Sequence, residues 1–184
     1  MSRVGQFVRA LAAYRGLNEW EQRWVREHLS PGEEALFWQM SAIDRKHAVR
    51  VSQRAAAMAR SDPSLTESGR RALIRAGLLH DIGKVHGEIG LLDRVAVVVL
   101  WRVAPGIAKR LVAWGREEHA RGAKAPWLLG GLCRAFYAQA VHAERGAAMA
   151  KQAGVEETVV DLIRLHHRPD EGGRLLKLFA KADA

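Results

Sequence analysis

The chain has 184 residues, 48% of them hydrophobic and 27% charged, with a single cysteine, Cys133. That length and balance suit one globular domain with a sizeable core, and they exclude a disordered chain, a fibrous protein and an internal disulfide framework. The formal charge of +9, from 29 Lys and Arg against 20 Asp and Glu, favours phosphate-bearing ligands by long-range attraction.

The arginines are spread along the chain, and no compact basic block interleaved with aromatics points to nucleic acid. The longest uncharged apolar run, Val95 to Trp101, is about a third of what a bilayer-spanning helix needs. The first residues lack a sustained apolar core with a small-residue cleavage site. The expectation is a cytoplasmic protein with no membrane or nucleic-acid partner; no feature of the sequence sets an oligomeric state.

Apolar residues recur at spacings of three and four, and nothing alternates with a period of two for long, which predicts an all-α protein. Residues 1–28 read as two short helices parted by Gly16-Leu17-Asn18, with Asn18 as cap for the segment of Trp20 and Trp24. Ser30-Pro31-Gly32-Glu33 combines an N-cap serine, a proline at the first helical position and a glutamate three after the cap. Leu36, Phe37 and Met40 lead to a helix over 41–60 that Asp62-Pro63 must end. Thr66 caps the next, from about Glu67 to the pair His80-Asp81, halting at Gly83.

Over 87–132, Pro105-Gly106, Gly115, Gly122, Pro126 and Gly130-Gly131 read as breakers. Further helices are predicted over 133–153, closed by Gly154, over 155–167, before Pro169, and over 175–183. Residues 1–40 are expected to form a helical extension packed on or beside a main domain of residues 41–184.

His80-Asp81, in Leu78-Leu79-His80-Asp81-Ile82-Gly83-Lys84, can grip one metal ion with two adjacent side chains. His47 lines up with Ile43, Val51, Ala55 and Met58; His80 with Leu73 and Gly77; His142 with Ala135, Ala138, Gly146 and Met149; His166 with Val159, Leu162 and Ile163; Asp183 with Leu176 and Phe179. Five imidazoles and carboxylates on apolar faces must be satisfied by each other, by backbone or by a cation. A cation satisfies all of them at once.

At these residues the sequence resembles the HD superfamily of metal-dependent phosphohydrolases, in its His-Asp-Ile-Gly-Lys variant. The resemblance covers roughly 41–184: an upstream His in Asp44-Arg45-Lys46-His47, then His80-Asp81 with Lys84, His142-Ala143-Glu144-Arg145-Gly146, the doublet His166-His167, and Asp183 after Lys181-Ala182. It implies a compact helical bundle binding two divalent first-row metals, iron or manganese foremost. Asp81 is then expected to bridge the ions, with His47, His80 and Asp183 mainly around one and His142, His166 and His167 around the other. Members that cleave cyclic di-GMP continue after the doublet with Gly-Tyr-Pro, where this chain has Arg168-Pro169-Asp170, so that substrate is not indicated.

Two ions about 3.5–4 Å apart can hold a hydroxide and clamp phosphoryl oxygens for in-line attack. The expected activity is hydrolysis of a nucleotide or other small phosphate ester, with Asp81 and Lys84 as the catalytic residues. Lys84 neutralises phosphate charge on the rim, and Arg145 and Arg168 are candidate phosphate clamps. The same ligand set also serves a few diiron oxygenases of this fold, and a non-catalytic nucleotide sensor is the third alternative. His86 and His119 read as surface residues in loops, Glu33 and Glu34 as helix-start acids, Asp44 as a cap or a support for His47, and the six tryptophans as core and edge packing.

Overall fold

The computed structural model describes residues 16–84, 91–121 and 129–184, and every regular element among them is helical. The helices are α1 (Glu19–His28), α2 (Pro31–Trp38), α3 (Ala42–Arg60), α4 (Glu67–Leu79), α5 (Leu91–Val103), α6 (Pro105–Arg121), α7 (Gly130–Gln152), α8 (Glu157–Leu165) and α9 (Arg174–Asp183), with a short 3₁₀ turn at Pro169–Glu171. The expectation of an all-α fold holds. No described helix is long and apolar enough to cross a membrane. The first of the two N-terminal helices read in the sequence, together with His86, Gly122, Pro126 and Trp127, lies outside the described residues.

The chain divides into two compact units. One comprises the described residues up to Ile82 together with Ala143–Ala184; the other is Gly83–His142. The first unit starts where its caps dictate. Asn18 and Glu21 form a reciprocal capping box at α1, Ser30 and Glu33 form another at α2, and Ser41 and Thr66 accept from the backbone at the starts of α3 and α4. Each satisfies amide donors that the first turn leaves open. Glu33 does more than the sequence suggested: buried, it also accepts from Nε and Nη2 of Arg75 on α4 at 2.9 and 2.7 Å.

The core of this unit is built on α3 and α4. Ala48, Val51, Ala55 and Ala59 face Ala72, Leu73, Ala76 and Leu79, joined by Val25 and Phe37 from the preceding helices, Val159, Leu162 and Ile163 from α8, and Leu176 and Phe179 from α9. Alanines at this seam let the backbones close in, and Gly77 lets them close furthest, since a Cβ there would lie 2.5 Å from Cα of Ser52. Ser52 in turn accepts from the indole of Trp24 at 3.0 Å.

In the second unit α5 and α6 are linked by Ala104 alone, whose carbonyl accepts from Ile107 and Ala108 at the start of α6. Its core is Val97, Ala108, Leu111, Cys133 and Phe136. Gly115 does not break the chain as expected. It is where α6 meets α7, since a Cβ there would lie 2.3 Å from the carbonyl oxygen of Cys133. Gly130-Gly131 likewise opens α7 instead of interrupting it, and His119 is exposed as expected but on α6, not in a loop.

Gly77→Ala tests the α3–α4 seam. Helix propensity alone would favour alanine by about 1 kcal/mol, whereas forcing a methyl into a filled backbone contact costs about 1–3 kcal/mol. Because the obstacle is the backbone of Ser52, which cannot rotate away, the clash should win. We expect a net loss of stability, read from the denaturant midpoint; an unchanged or raised midpoint would show that the seam is looser than described.

Candidate metal centre

Two helices of the first unit end at the same place, beside a third. α4 ends at its C-cap His80, α8 at its C-cap His166, and α9 runs through Asp183. The last four carbonyls of a helix lack intrahelical donors and carry about half a negative charge between them. Two of the orphans are met by histidine: His80 Nδ1 donates to the Gly77 carbonyl at 3.1 Å, and His166 Nδ1 to the Ile163 carbonyl at 2.6 Å. With the proton on Nδ1, Nε2 is the lone-pair atom of each ring, the one a metal would take.

The donor atoms then converge. His47 Nε2, from α3, lies 3.1 Å from Asp183 Oδ1 and 3.3 Å from His80 Nε2. His80 Nε2 is 3.5 Å from both Asp183 Oδ1 and Asp81 Oδ2, and His47 Nε2 is 3.9 Å from Asp81 Oδ2. The rings of His80 and His166 are 5.3 Å apart and nearly perpendicular, those of His166 and His167 3.9 Å apart, and Phe179 closes the floor against His80 at 5.9 Å. His80, Asp81 and His166 are buried, His47 and Asp183 partly so, and His167 is exposed.

The pair His80-Asp81 departs from the sequence reading. His80 is the cap that follows α4, and Asp81 lies in the turn beyond it, held by the Ile82 amide bonding back to Leu79 at 3.1 Å. The turn swings Asp81 Oδ2 to the His80 Nε2 side, which two successive positions of a regular helix, about 100° apart, would not do.

The remaining predicted residues are spread more widely. His142 is the last residue of the second unit, fully buried, with Nδ1 donating to the Gln139 carbonyl at 2.7 Å, which makes Nε2 its lone-pair atom. Lys84, in the second unit, is half-buried, as is Arg145 in the first. Arg168 is exposed and bonded to Glu144 at 2.9 Å and Glu171 at 3.0 Å. Asp44 takes the capping role, with its amide donating to Ser41 Oγ and its carboxylate accepting from it. The sequence reading missed the histidine C-caps, whose signal is an imidazole directly after an apolar helical run.

The donor set fits a divalent cation. Bonds of about 2.0–2.2 Å set at tetrahedral or octahedral angles put neighbouring ligand atoms about 3–3.5 Å apart, the range found among His47, His80 and Asp183, with Asp81 3.5 Å from His80 and 3.9 Å from His47. Two carboxylates supply the balancing charge, and mixed nitrogen and oxygen donors suit first-row metals. His47, His80 and Asp183 each offer an atom within 4.8 Å of the others, a cluster able to hold a metal ion.

Without a cation the cluster is internally strained in its electrostatics. Burial, and then the charge of His80 beside it, push His166 down to about 4 from 6.5. Burial would raise Asp183, but the hydrogen bond from His47 and the charges of His80 and His47 outweigh it and hold that carboxyl well below the usual range. For His166 the unfolded chain binds the proton first, so between pH 6.5 and about 4 acid removes stability from the fold. Asp183 adds a further loss as pH falls below its ordinary 3.8. We expect the urea midpoint of chelated protein to fall steadily from neutral pH to pH 4, and His166→Gln to flatten the upper part of that slope. Equal slopes in both proteins would remove the burial account.

The family model of the HD domain matches residues 45–184. No curated protein and no solved structure matches the chain. The match spans α3 to α9 and takes in every converging ligand atom described above. The chain belongs to the HD domain family, whose activity is in general that of metal-dependent phosphohydrolases.

Proposed function

We propose that this protein hydrolyses a nucleotide or another small phosphate ester at a two-metal centre. His47, His80 and Asp183 would hold one ion and His142, His166 and His167 the other, with Asp81 as the ligand assigned to both. The observation that carries the reading is the convergence of His47, His80 and Asp183 on atoms within 4.8 Å of one another, where the C-termini of α4 and α8 meet the side of α9. Bound divalent ions would supply Lewis-acid polarisation of a phosphoryl oxygen and a water acidified towards neutrality.

The chain's own residues supply the rest. His80, His142 and His166 each commit Nδ1 to the carbonyl three residues earlier, so none needs a tautomer change to present Nε2, and the cost of orienting the rings is met during folding. The partly exposed side of the cluster, at His47 and His167, is where an ester can approach while the buried side stays dry. Lys84, three residues after Asp81, is assigned to neutralise charge building on the phosphoryl oxygens. Arg145 is assigned to hold the phosphate from the start of the reaction. Arg168 can join it only by exchanging Glu144 or Glu171 for the phosphate, a trade that a dianion favours. The +9 charge draws anionic esters towards the protein.

Elemental analysis of protein purified without chelator or added metal tests the centre, and phosphate release from generic and nucleotide esters tests the chemistry. We expect close to two metal ions per chain. Asp81→Ala should lose metal and turnover together, while Lys84→Ala should keep its metal and lose about 10²–10³-fold in kcat, the cost of one electrostatic donor at a reacting oxyanion. Full turnover in Asp81→Ala would end the proposal. Oxygen consumption with no phosphate released would transfer the site to oxidation.

A further inference from the structure

We propose that the corner between α5 and α6 is an anchoring surface for anionic lipid bilayers. α5 is apolar on two opposite faces through its middle, its charged residues Asp93, Arg94 and Arg102 lying near its ends. Val97 and Leu100 face inward onto Ala108, Leu111, Cys133 and Phe136, yet the opposite face is just as apolar and carries no cover: Val95, Val98, Val99 and Val103 are 58%, 69%, 47% and 70% exposed. These positions fall three and four apart and form one stripe. The stripe continues past Ala104 onto α6 through Ile107 and Trp114, both exposed, with Trp101 on its flank. A helix apolar on two opposite faces is ordinarily covered on both, and a contiguous exposed patch of this kind marks an interaction surface.

Charge selects the partner. From 94 to 116 the sequence holds five Arg and Lys residues, Arg94, Arg102, Lys109, Arg110 and Arg116, and no acid. Arg102, Lys109 and Arg110 are exposed beside the apolar stripe. A two-fold contact with a second copy would set the cations at this corner against themselves, since the acids of the two helices, Asp93, Glu117 and Glu118, lie towards the ends away from it. An anionic bilayer surface offers the opposite sign to the rim, hydrocarbon to the valines and an interfacial layer to the tryptophan rings. Since no described helix can span a membrane, the contact is peripheral. It makes no use of the metal ligands and stands or falls apart from the proposed hydrolysis.

Co-sedimentation of the full chain with vesicles tests the surface. Binding to vesicles of about three parts phosphatidylcholine to one part phosphatidylglycerol should exceed binding to phosphatidylcholine alone by about tenfold or more, and should weaken in about 0.5 M salt. The double variant Val98→Asp/Val103→Asp should lose the binding while keeping its circular dichroism and melting curve, because both side chains already point to solvent. Arg102→Ala/Lys109→Ala/Arg110→Ala should lose the preference for anionic lipid. Absence of vesicle binding, or equal binding by the valine variant, would overturn the proposal. So would a wild-type dimer in sedimentation velocity that the valine substitutions convert to monomer, which would give the patch to a second copy.

Discussion

Two helix C-termini meeting beside a carboxylate set the terms for everything else in the first unit. The ends of α4 and α8 and the side chain of Asp183 on α9 bring together carbonyls and a carboxylate of the same sign, an arrangement that repels itself unless something positive or proton-donating sits within it. The protein answers in two stages. Imidazole N–H groups of His80 and His166 take up orphan carbonyls of their own helices, which removes the backbone part of the problem. What remains is a cluster of inward lone pairs and two carboxylates, and that residue of negative potential is what a cation would offset. Metal affinity in such a site is therefore partly a property of helix packing and not only of ligand identity.

The seam between α3 and α4 fixes the spacing. His47 approaches His80 to 3.3 Å because the two helices cross on alanines and on Gly77, whose missing side chain lets the Ser52 backbone in. Gly77 also provides the carbonyl that orients His80, so one position controls both the distance between the helices and the direction of the ligand. A wider crossing would separate the nitrogens beyond the span of a single ion while leaving the hydrophobic core nearly intact.

Much of this was legible in the sequence, for reasons that differ from place to place. Capping residues act locally, so Asn18, Ser30 and Thr66 announced their helices correctly. Helical spacing located His47, His80, His166 and Asp183 on inward faces, since burial follows periodicity. Gly115 was misread because a glycine that breaks a helix and one that admits a neighbouring backbone look alike until the neighbour, here Cys133, is known. The turn at His80-Asp81 was misread as helix because nothing in Leu79-His80-Asp81-Ile82 disfavours helical geometry; the chain leaves the helix because His80 caps it. The exposed valines of α5 were read as an apolar run too short to span a membrane, and which side of the helix stays uncovered depends on partners from α6 and α7.

Asp183 is positioned by the apolar face of its own helix. One and two turns earlier α9 buries Phe179 and Leu176, and full burial of two such side chains contributes about 3–6 kcal/mol. That places the body of the helix without help from any ion. In the turn of Asp183 itself, Ala182 is buried and the carboxylate accepts from His47 at 3.1 Å. The low pKa of its carboxyl shows the direction of that coupling: the imidazoles stabilise the anion more than burial penalises it. Docking of α9 and assembly of the ligand cluster are thus one event, in which the apolar face supplies the energy and the carboxylate supplies the register.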